Sequence, residues 1–154
     1  MFALNLPLYP IKVINRTGRK AVFDVLRKKY VALTPEEWVR QQFVHFLLNE
    51  KHYPAGLVAN EVSLQINGTS KRCDTVVYNR QAQPCVIVEY KAPHIEITQK
   101  VFSQICRYNL ALKVDYLIVS NGLQHYCCKM EYATQSYSFL RNIPCYEEIV
   151  PPTL

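Results

Sequence analysis

Glycine is scarce in this chain, with four residues in 154. None of the four belongs to a G-x-x-x-x-G-K-[ST] pattern, in which backbone N–H groups and a lysine cradle the phosphates of ATP. The sequence therefore excludes a nucleotide-driven motor of that type within these residues.

The chain also lacks a long apolar run. Hydrophobic residues make up 49% of the sequence, which suffices for a core. No stretch approaches the roughly 20 apolar residues that span a membrane, and Met1–Pro7 has neither the charged start nor the long apolar core of a secretory signal. We therefore expect a cytoplasmic protein without a membrane partner. Its length favours one domain over residues 1–154.

Metal-ligand spacing is missing from the cysteines and histidines. The six cysteines contain no C-x-x-C pair, and several lie inside apolar runs. They are predicted to be free, buried thiols rather than zinc ligands or disulfides. The four histidines are predicted to be structural. These residues are Cys73, Cys85, Cys106, Cys127, Cys128, Cys145, His45, His52, His94 and His125.

Acidic residues are outnumbered. The sequence has 12 Asp and Glu against 18 Lys and Arg, so the formal net charge is +6, which suits a polyanionic partner. Basic residues concentrate near the N terminus, where they are either solvated surface charges or contacts to a phosphate backbone. They are Lys12, Arg16, Arg19, Lys20, Arg27, Lys28 and Lys29.

Local patterns predict the secondary structure. Residues 1–20 are expected to be irregular or to hold one short strand, and residues 21–30 to form a short helix or turn. Thr34 is predicted to cap a helix that has Pro35 in its first turn. The pattern further predicts strands at residues 57–66, 115–120 and 124–132, and a second long helix that ends near residue 112.

Two β-rich segments flank a polar turn between Arg72 and Lys91. The turn, residues 79–83, lies between runs of valine, isoleucine and tyrosine, which is typical of a hairpin. Folding the chain about the turn centre puts Asp74 opposite Glu89, and strand alternation puts Lys91 on the same face as Glu89. The sequence therefore predicts that these three side chains converge on one patch of a sheet.

This grouping suits hydrolysis of a phosphodiester bond. Two adjacent carboxylates repel one another, so one stays protonated unless a cation lies between them. A hard divalent ion binds one or two carboxylates together with water and phosphate oxygens, and it can activate water. A lysine beside such an ion can orient the water or offset developing charge. Asp74, Glu89 and Lys91 are therefore candidate catalytic residues.

These residues resemble the PD-(D/E)xK nuclease superfamily. Cys73-Asp74 stands for Pro-Asp, and Glu89-Tyr90-Lys91 for Glu-x-Lys. The cysteine is tolerable because that position carries no ligand. Flanking segments resemble, in order and spacing, the N-terminal nuclease domain of type I restriction enzyme R subunits. The resemblance extends over roughly residues 24–122 and includes Leu33–Gln41, Lys71–Asp74, Val88–Pro93, Gln104–Asn109 and Ser120–Gly122.

The resemblance implies an α/β fold with a restriction-endonuclease-like core of order α-β-β-β-α-β, in which helices flank a mixed sheet over residues of about 34–122. It implies a DNA-binding endonuclease, a hydrolase of restriction–modification systems that depends on Mg²⁺ or Mn²⁺. Asp74 and Glu89 would bind the metal ion with the Tyr90 carbonyl as a third ligand, and Lys91 would orient the attacking water.

The resemblance also implies an acidic residue on the first helix, near the metal. Glu36 is favoured over Glu37 because a helical wheel puts Glu36 close to the buried stripe, and because it precedes Arg40 by four residues, as in type I relatives. Both acids could instead only stabilise the helix N terminus. Glu61 is expected to be an acid at the edge of the site or one that supports it.

Further residues implied by the resemblance lie on and around the second helix. Gln104 and Tyr108 are four apart and resemble the Gln-x-x-x-Tyr motif that steadies the lysine and the DNA backbone. Tyr108, Arg72 and Arg107 are expected to contact DNA. The alternative for the Gln–Tyr pair is a polar pair on a solvated helix face.

Other functions remain open at this point. Full R subunits have an ATP-driven motor, so this protein is expected not to translocate DNA by itself. It could be a catalytically silent DNA-binding module, or a subunit that acts with a separate motor protein or other restriction–modification subunits. A structural protein that uses its sheet as a homodimer interface is a further alternative. The combination of two carboxylates and a lysine favours the nuclease over both.

Overall fold

The computed structural model describes residues 3–66, 68–110 and 112–152, without the side chains of residues 66, 69 and 108. The order α1-β4-β5-β6-α2-β7 confirms the predicted α-β-β-β-α-β core. Over the described residues the elements are β1 (Val13–Arg16), β2 (Arg19–Asp24), β3 (Lys29–Ala32), α1 (Pro35–Asn49), β4 (Val58–Ile66), β5 (Thr69–Tyr78), β6 (Pro84–Tyr90), α2 (Gln99–Leu110), β7 (Tyr116–Ser120), β8 (His125–Glu131), β9 (Ser136–Leu140) and α3 (Tyr146–Ile149).

A mixed sheet forms the centre of the fold. Its strand order is β4-β5-β6-β7-β8-β9. The β6–β7 pair is parallel, while the other neighbours run antiparallel. A parallel pair needs a long crossover connection, and α2 supplies it. The mixed sheet with flanking helices agrees with the predicted restriction-endonuclease-like fold.

The two faces of this sheet are buried against different helices. Strand alternation sends Val77 towards the cluster that contains Phe43 of α1, and Val76 towards the cluster that contains Phe102 of α2. Both valines are fully buried. The sheet is therefore the middle of three layers, and its strand ends lie between α1 and α2.

The hairpin formed by β5 and β6 has the predicted register. Thr75 pairs with Val88, Val76 with Ile87 and Val77 with Val86 across β5 and β6, which is the register that the sequence predicts for Asp74 opposite Glu89. The Asn79 side chain holds the turn, since its Oδ1 accepts from the N–H of Gln81 at 2.9 Å. The side-chain period of two then fixes which residues face the cleft.

The start of α1 agrees with the predicted cap. Thr34 Oγ1 accepts a hydrogen bond from the Glu37 N–H at 3.0 Å, and Pro35 occupies the first turn. Capping of this kind satisfies an N–H group that has no intrahelical partner. It fixes the point where α1 begins beside the sheet.

The N-terminal prediction was wrong. Residues 21–30 do not form a short helix or a single turn, because β1, β2 and β3 make a separate antiparallel sheet. Thr17 and Gly18 both have positive φ, at 49° and 80°, which is typical of a two-residue hairpin loop. The second connection is held by Asp24, whose Oδ1 accepts from the N–H groups of Leu26 and Arg27 at 2.8 Å. The Asp24 side chain thus forms a turn with the backbone that follows it, and this turn joins β2 to β3.

The C-terminal segment adds structure that no motif predicted. β9 extends the sheet beyond β8, and Tyr146 of α3 is buried, with its hydroxyl donating to the Tyr78 carbonyl at 2.9 Å. The cysteine prediction is confirmed, since all six are free and five of them are buried. Among the described residues, the helices are too short or too polar to cross a lipid bilayer.

Candidate active site

A cleft of about 470 Å³ lies where the β5–β6 hairpin meets α2 and the N terminus of α1. It contains the three side chains that the hairpin register predicted to converge. Its lining consists of Glu36, Lys71, Arg72, Asp74, Glu89, Tyr90, Lys91, Gln104, Ile105 and Asn109. The cleft is therefore built from charged and amide side chains supplied by three parts of the fold.

Asp74 and Glu89 form a close carboxyl pair within the cleft. Asp74 Oδ2 accepts a hydrogen bond from the Tyr90 N–H at 2.9 Å, which orients the Asp74 side chain. Burial, and then the charge and hydrogen bond of the neighbouring Asp74, raise the pKa of Glu89 to about 8. Without a cation beside it, the Glu89 carboxyl group therefore holds its proton more strongly than an ordinary glutamate.

The pairing between β4 and β5 is interrupted beside Asp74. Asn60 pairs with Thr75 and Val62 pairs with Cys73, and Glu61 and Asp74 lie between these pairs. Glu61 has a φ of 56°, a conformation that is uncommon without glycine. Such backbone conformations cost free energy and are often found at functional sites. The distortion beside Asp74 is therefore an indication, independent of the side chains, that this cleft is a functional site.

Lys71 is a residue that the sequence prediction missed. Its Nζ lies 3.1 Å from Glu89 Oε1 and 3.0 Å from Asn109 Oδ1. Asn109 in turn donates to the Ile105 carbonyl at 2.8 Å, which fixes its amide on α2. The Glu89–Lys71–Asn109 chain thus links the hairpin to α2 across the cleft. Alternation in a regular strand puts Lys71 on the opposite face from Asp74, so the local pattern gave no signal for this contact.

Glu36 and Glu37 have different surroundings. Glu36 lines the cleft, and partial burial followed by the charge of Asp74 raises its pKa. Glu37 instead lies 3.1 Å from Arg40 Nε and 3.4 Å from Arg27 Nη2. The preference for Glu36 agrees with this placement, although closeness to the buried stripe did not make Glu36 the more buried acid. Glu36 is the more exposed of the two, because the pair with Arg40 draws Glu37 towards the protein.

Arg40 supports the site from below. It is buried, its Nη2 lies 2.6 Å from Glu61 Oε1, and its Nη1 donates to the Asp74 carbonyl at 3.2 Å. Glu61 also pairs with Arg72, which is 72% exposed. Glu61 is therefore a supporting acid, because two arginines already occupy its carboxylate.

A buried hydrogen-bond chain lies beneath the hairpin. Thr75 Oγ1 donates to Asn60 Oδ1 at 2.7 Å and is 2.9 Å from the Tyr90 hydroxyl. Asn60 Nδ2 donates to Asp24 Oδ2 at 3.0 Å. The side chain of Tyr90 is therefore structural, while its main chain faces Asp74 and remains the candidate ligand. Sequence reasoning had no signal for this chain, since its members are far apart in sequence.

The remaining predicted residues are on or near α2. Gln104 is exposed and lines the cleft. Arg107 is exposed on the last turn of α2 and lies outside the cleft lining. The side chain of Tyr108 lies outside the described part of the structure. Lys91 lies in the cleft wall, where its N–H donates to the Ser120 carbonyl at 2.9 Å.

The donor set fits a hard divalent ion. Among the residues described, no three His, Cys, Asp or Glu side chains are grouped closely enough to hold a metal ion. The side chains therefore offer two carboxylates, Asp74 and Glu89. Mg²⁺ is usually held by one or two carboxylates with water and phosphate oxygens, so this number is suitable. The raised pKa of Glu89 indicates that the pair lacks full compensation by Lys71.

Comparison with known proteins points to one family. Residues 35–144 match the family described as type I restriction enzyme R protein N terminus. A fragment of a protein described as an HsdR subunit of a type I restriction enzyme from Vibrio vulnificus YJ016 is similar in structure, with a TM-score of 0.54 and 21% identity. That match covers 76% of this chain and 24% of the fragment, so the chain spans about a quarter of its length.

A second solved structure is more distant. The DrdV–DNA complex gives a TM-score of 0.45 at 16% identity, over 69% of this chain and 10% of that one. A search of curated protein sequences gives no match.

Proposed function

The chain belongs to the family of type I restriction enzyme R protein N termini, and from this membership and the geometry of the cleft we propose that it is a metal-dependent deoxyribonuclease. Membership in this family supports a nuclease-related role in restriction. The finer proposal is endonucleolytic hydrolysis of DNA phosphodiester bonds. The observation that carries it is that Asp74, Glu89 and Lys91 all line one cleft.

Asp74 and Glu89 would hold Mg²⁺ or Mn²⁺, with the Tyr90 carbonyl as a third ligand. The bound ion would supply positive charge that polarises water and offsets charge on the reacting phosphate. Asp74 is oriented for this role by the Tyr90 N–H, and the Arg40 guanidinium holds the Asp74 carbonyl. The protein thus fixes the carboxylate geometry before any ligand arrives, which reduces reorganisation during the reaction.

Lys91 would orient the attacking water by donating a hydrogen bond to it. Its main chain is fixed to Ser120 of β7, so its position is set by the parallel strand pair. Glu36 would complete the shell of groups around the metal ion and its water molecules. Its raised pKa, caused by partial burial and by Asp74, indicates that it shares the electrostatic environment of the pair.

DNA would enter along the mouth of the cleft. Arg72 is exposed there and Gln104 lines the wall, so both can contact a phosphate. Arg107 and Tyr108 are proposed as further DNA contacts along α2. These contacts position the backbone and carry no sequence information.

A DNA-binding module without catalysis is the second candidate. The observation that favours it is the ion pair between Lys71 Nζ and Glu89 Oε1 at 3.1 Å, which partly compensates the carboxylate without any metal ion. Such a module, in the cytoplasm, could act with a separate ATP-dependent motor or with other restriction–modification subunits. It predicts DNA binding that is independent of metal ions and of Lys91.

The test uses supercoiled plasmid, linear duplex and single-stranded DNA with Mg²⁺, Mn²⁺ or EDTA. Wild type, Asp74→Asn, Lys91→Ala and the surface control Lys129→Gln are compared, since Lys129 is exposed on β8 away from the cleft. We expect metal-dependent cutting by wild type and the control only. Cutting in EDTA, or undiminished cutting by Asp74→Asn, would contradict the proposal. Binding without cutting by any sample would favour the second candidate.

A further inference from the structure

The positive charge of this protein is segregated by region. Residues 1–34 contain seven Lys or Arg and one acid, Asp24, which leaves a net charge of +6. Residues 35–154 contain eleven Lys or Arg and eleven acids, which leaves no net charge. The whole net charge therefore belongs to the N-terminal segment, and the family match begins only at residue 35.

Most of these cations point into solvent. Asp24 is buried and pairs with Arg27, whose Nε lies 2.6 Å from Asp24 Oδ2, so the single acid neutralises the one basic residue that is partly withdrawn. The other six are exposed, with Arg16 and Arg19 on one face of the N-terminal sheet and Lys20 and Lys29 on the other, and together they form what we call the basic patch. Its residues are Lys12, Arg16, Arg19, Lys20, Lys28 and Lys29.

One face of the N-terminal sheet has no compensating acid. Arg16 is directly opposite Arg19 across β1 and β2. Phe23 lies four residues after Arg19 on the same face, and it is opposite Tyr30 of β3. The Arg16 guanidinium lies over the Tyr30 ring at 5.6 Å. Like charges directly opposite in a sheet are destabilising, so folding alone does not favour two arginines at this pair.

The opposite face of the same sheet covers the body of the protein. Val22 and Asp24 are fully buried there. Asn60 of the central sheet donates to Asp24 Oδ2 at 3.0 Å, and Arg27 Nη2 lies 3.4 Å from Glu37 Oε1. Glu37 is next to Glu36, which lines the cleft. The sheet is therefore anchored beside the N terminus of α1, with Arg16 and Arg19 exposed at the end where the β1–β2 loop lies.

We infer that the basic patch is a binding surface for the phosphate backbone of DNA, one that adds electrostatic affinity to that of residues 35–154, which carry no net charge. This inference rests on the proposed function, because it takes DNA as the polyanion. The patch contacts phosphates beyond the scissile one and takes no part in bond cleavage. It therefore contributes to DNA affinity and to its salt dependence, and leaves the rate of cleavage of bound DNA unchanged.

Two variants with equal charge separate the patch from general electrostatics. The patch variant carries Lys12→Gln, Arg16→Gln, Arg19→Gln and Lys20→Gln. The control variant carries Lys100→Gln, Lys113→Gln, Lys129→Gln and Arg141→Gln. These four residues lie after the N-terminal segment, are exposed to solvent and are outside the cleft lining. Each variant loses four positive charges. Circular dichroism and thermal unfolding establish that both remain folded.

Binding of duplex and single-stranded DNA is measured in EDTA, where metal-dependent cutting cannot occur, from 50 to about 200 mM salt. Each phosphate contact that is lost should reduce the slope of log affinity against log salt by about 0.9 for duplex and about 0.7 for a single strand. We expect the patch variant to lose about two to four contacts and at least about tenfold in affinity at low salt. In the control variant, the slope should change by less than the value that corresponds to one phosphate contact.

Three results would overturn the inference. They are equal effects of the patch and control variants, an unchanged slope in the patch variant, and tighter binding to phosphatidylserine vesicles than to DNA. Cleavage is measured separately at saturating DNA with Mg²⁺. If wild type binds DNA and the patch variant binds more weakly than the control variant, but wild type never cuts DNA, the proposed nuclease activity is contradicted and this inference stands. If wild type cuts and the variants bind alike, the inference alone fails.

Discussion

Asp24 in the N-terminal sheet and Glu89 in the cleft are both carboxylates withdrawn from solvent, yet their electrostatic states are opposite. Burial of Asp24 would raise its pKa, but hydrogen bonds from the Arg27 N–H, from Asn60 and from the Arg27 guanidinium outweigh burial and lower it. Burial and the neighbouring Asp74 raise the pKa of Glu89. Both carboxyl groups are withdrawn from water, so burial alone does not explain the difference. The neighbouring hydrogen-bond donors and charges decide which carboxyl group is ionised more easily.

The contrast separates a structural carboxylate from a functional one. The two oxygens of Asp24 accept hydrogen bonds from Leu26, Arg27 and Asn60, so this acid already has partners for its charge. Glu89 has Lys71 as a cationic partner but faces a second acid. A fully paired acid holds two sheets together, whereas an incompletely compensated pair is suited to bind a cation. Four predictions test this difference, beginning with the largest effect.

The largest expected effect is on cleavage, from Glu89→Gln. Glutamine keeps the shape of the side chain but removes the charge of the proposed metal ligand, so we expect cleavage to fall by on the order of 100- to 1000-fold or more. The unfolding free energy should be unchanged or higher, because the repulsion between the two acids is removed. Plasmid cleavage and urea unfolding measure the two quantities. Retained cleavage would show that Glu89 is not needed for the reaction.

Asp24→Ala should have the converse effect. It leaves the buried Asn60 amide and the Arg27 guanidinium without their acceptor, so we expect the unfolding free energy to fall by about 3 kcal/mol. Metal affinity of the folded protein should change little. Urea unfolding measures the loss, with the exposed Glu96→Ala as a matched control that should stay within about 0.5 kcal/mol. Equal losses in both variants would contradict the structural role of Asp24.

The pH dependence of stability should differ in sign for the two acids. The folded pKa of Glu89 is about 8 and its ordinary value is 4.5, so its contribution is full below pH 4.5 and is lost as pH rises towards 8. The folded pKa of Asp24 is lowered, so its contribution is present above its ordinary value of 3.8 and is lost as pH falls through the folded value.

Unfolding free energies measured across this pH range in EDTA test that difference. Because other groups also titrate, each variant is compared with wild type at every pH. Glu89→Gln should remove a decline between pH 4.5 and about 8, and Asp24→Asn should remove a decline at acid pH. Saturating Mg²⁺ should reduce the loss of unfolding free energy that Glu89 causes in wild type as the pH rises. A difference curve for Glu89→Gln without slope would show that the Asp74–Glu89 pair does not share a proton.

The smallest expected effect concerns Arg72. Its pair with Glu61 is largely exposed, so Arg72→Gln should change the unfolding free energy by less than about 1 kcal/mol. Its affinity for DNA should fall several-fold if the guanidinium contacts a phosphate. Fluorescence anisotropy with labelled duplex measures the affinity, and Arg80→Gln, outside the cleft lining, is the control. Equal affinities for both variants would remove Arg72 from the DNA contacts.

Local patterns predicted the parts of the fold that local physics determines. The Thr34 cap and the register of Thr75 with Val88 follow from capping and from a period of two, and both agree with the structure. The N-terminal sheet was missed because its signal is a two-residue loop at Thr17 and Gly18 within a basic, weakly patterned segment. Tertiary burial of Val22, rather than intrinsic propensity, decides that segment.

The site shows a similar division. Asp74, Glu89 and Lys91 were predictable because one hairpin carries them all. Lys71 and Asn109 were not singled out, since their contact joins a strand to a helix 38 residues away. Such long-range contacts depend on the crossover geometry and have no local signature.

Calorimetric titration of the protein with Mg²⁺ or Mn²⁺, in buffers of different ionisation enthalpy, tests the central claim most directly. If Asp74 and Glu89 share a proton and bind a metal ion, wild type should bind the ion near pH 7 and release up to about one proton per ion. Asp74→Asn should abolish that binding, while Asp24→Asn should retain it. Absence of binding by wild type, or equal binding and proton release by Asp74→Asn, would contradict the claim that this carboxylate pair is a metal site.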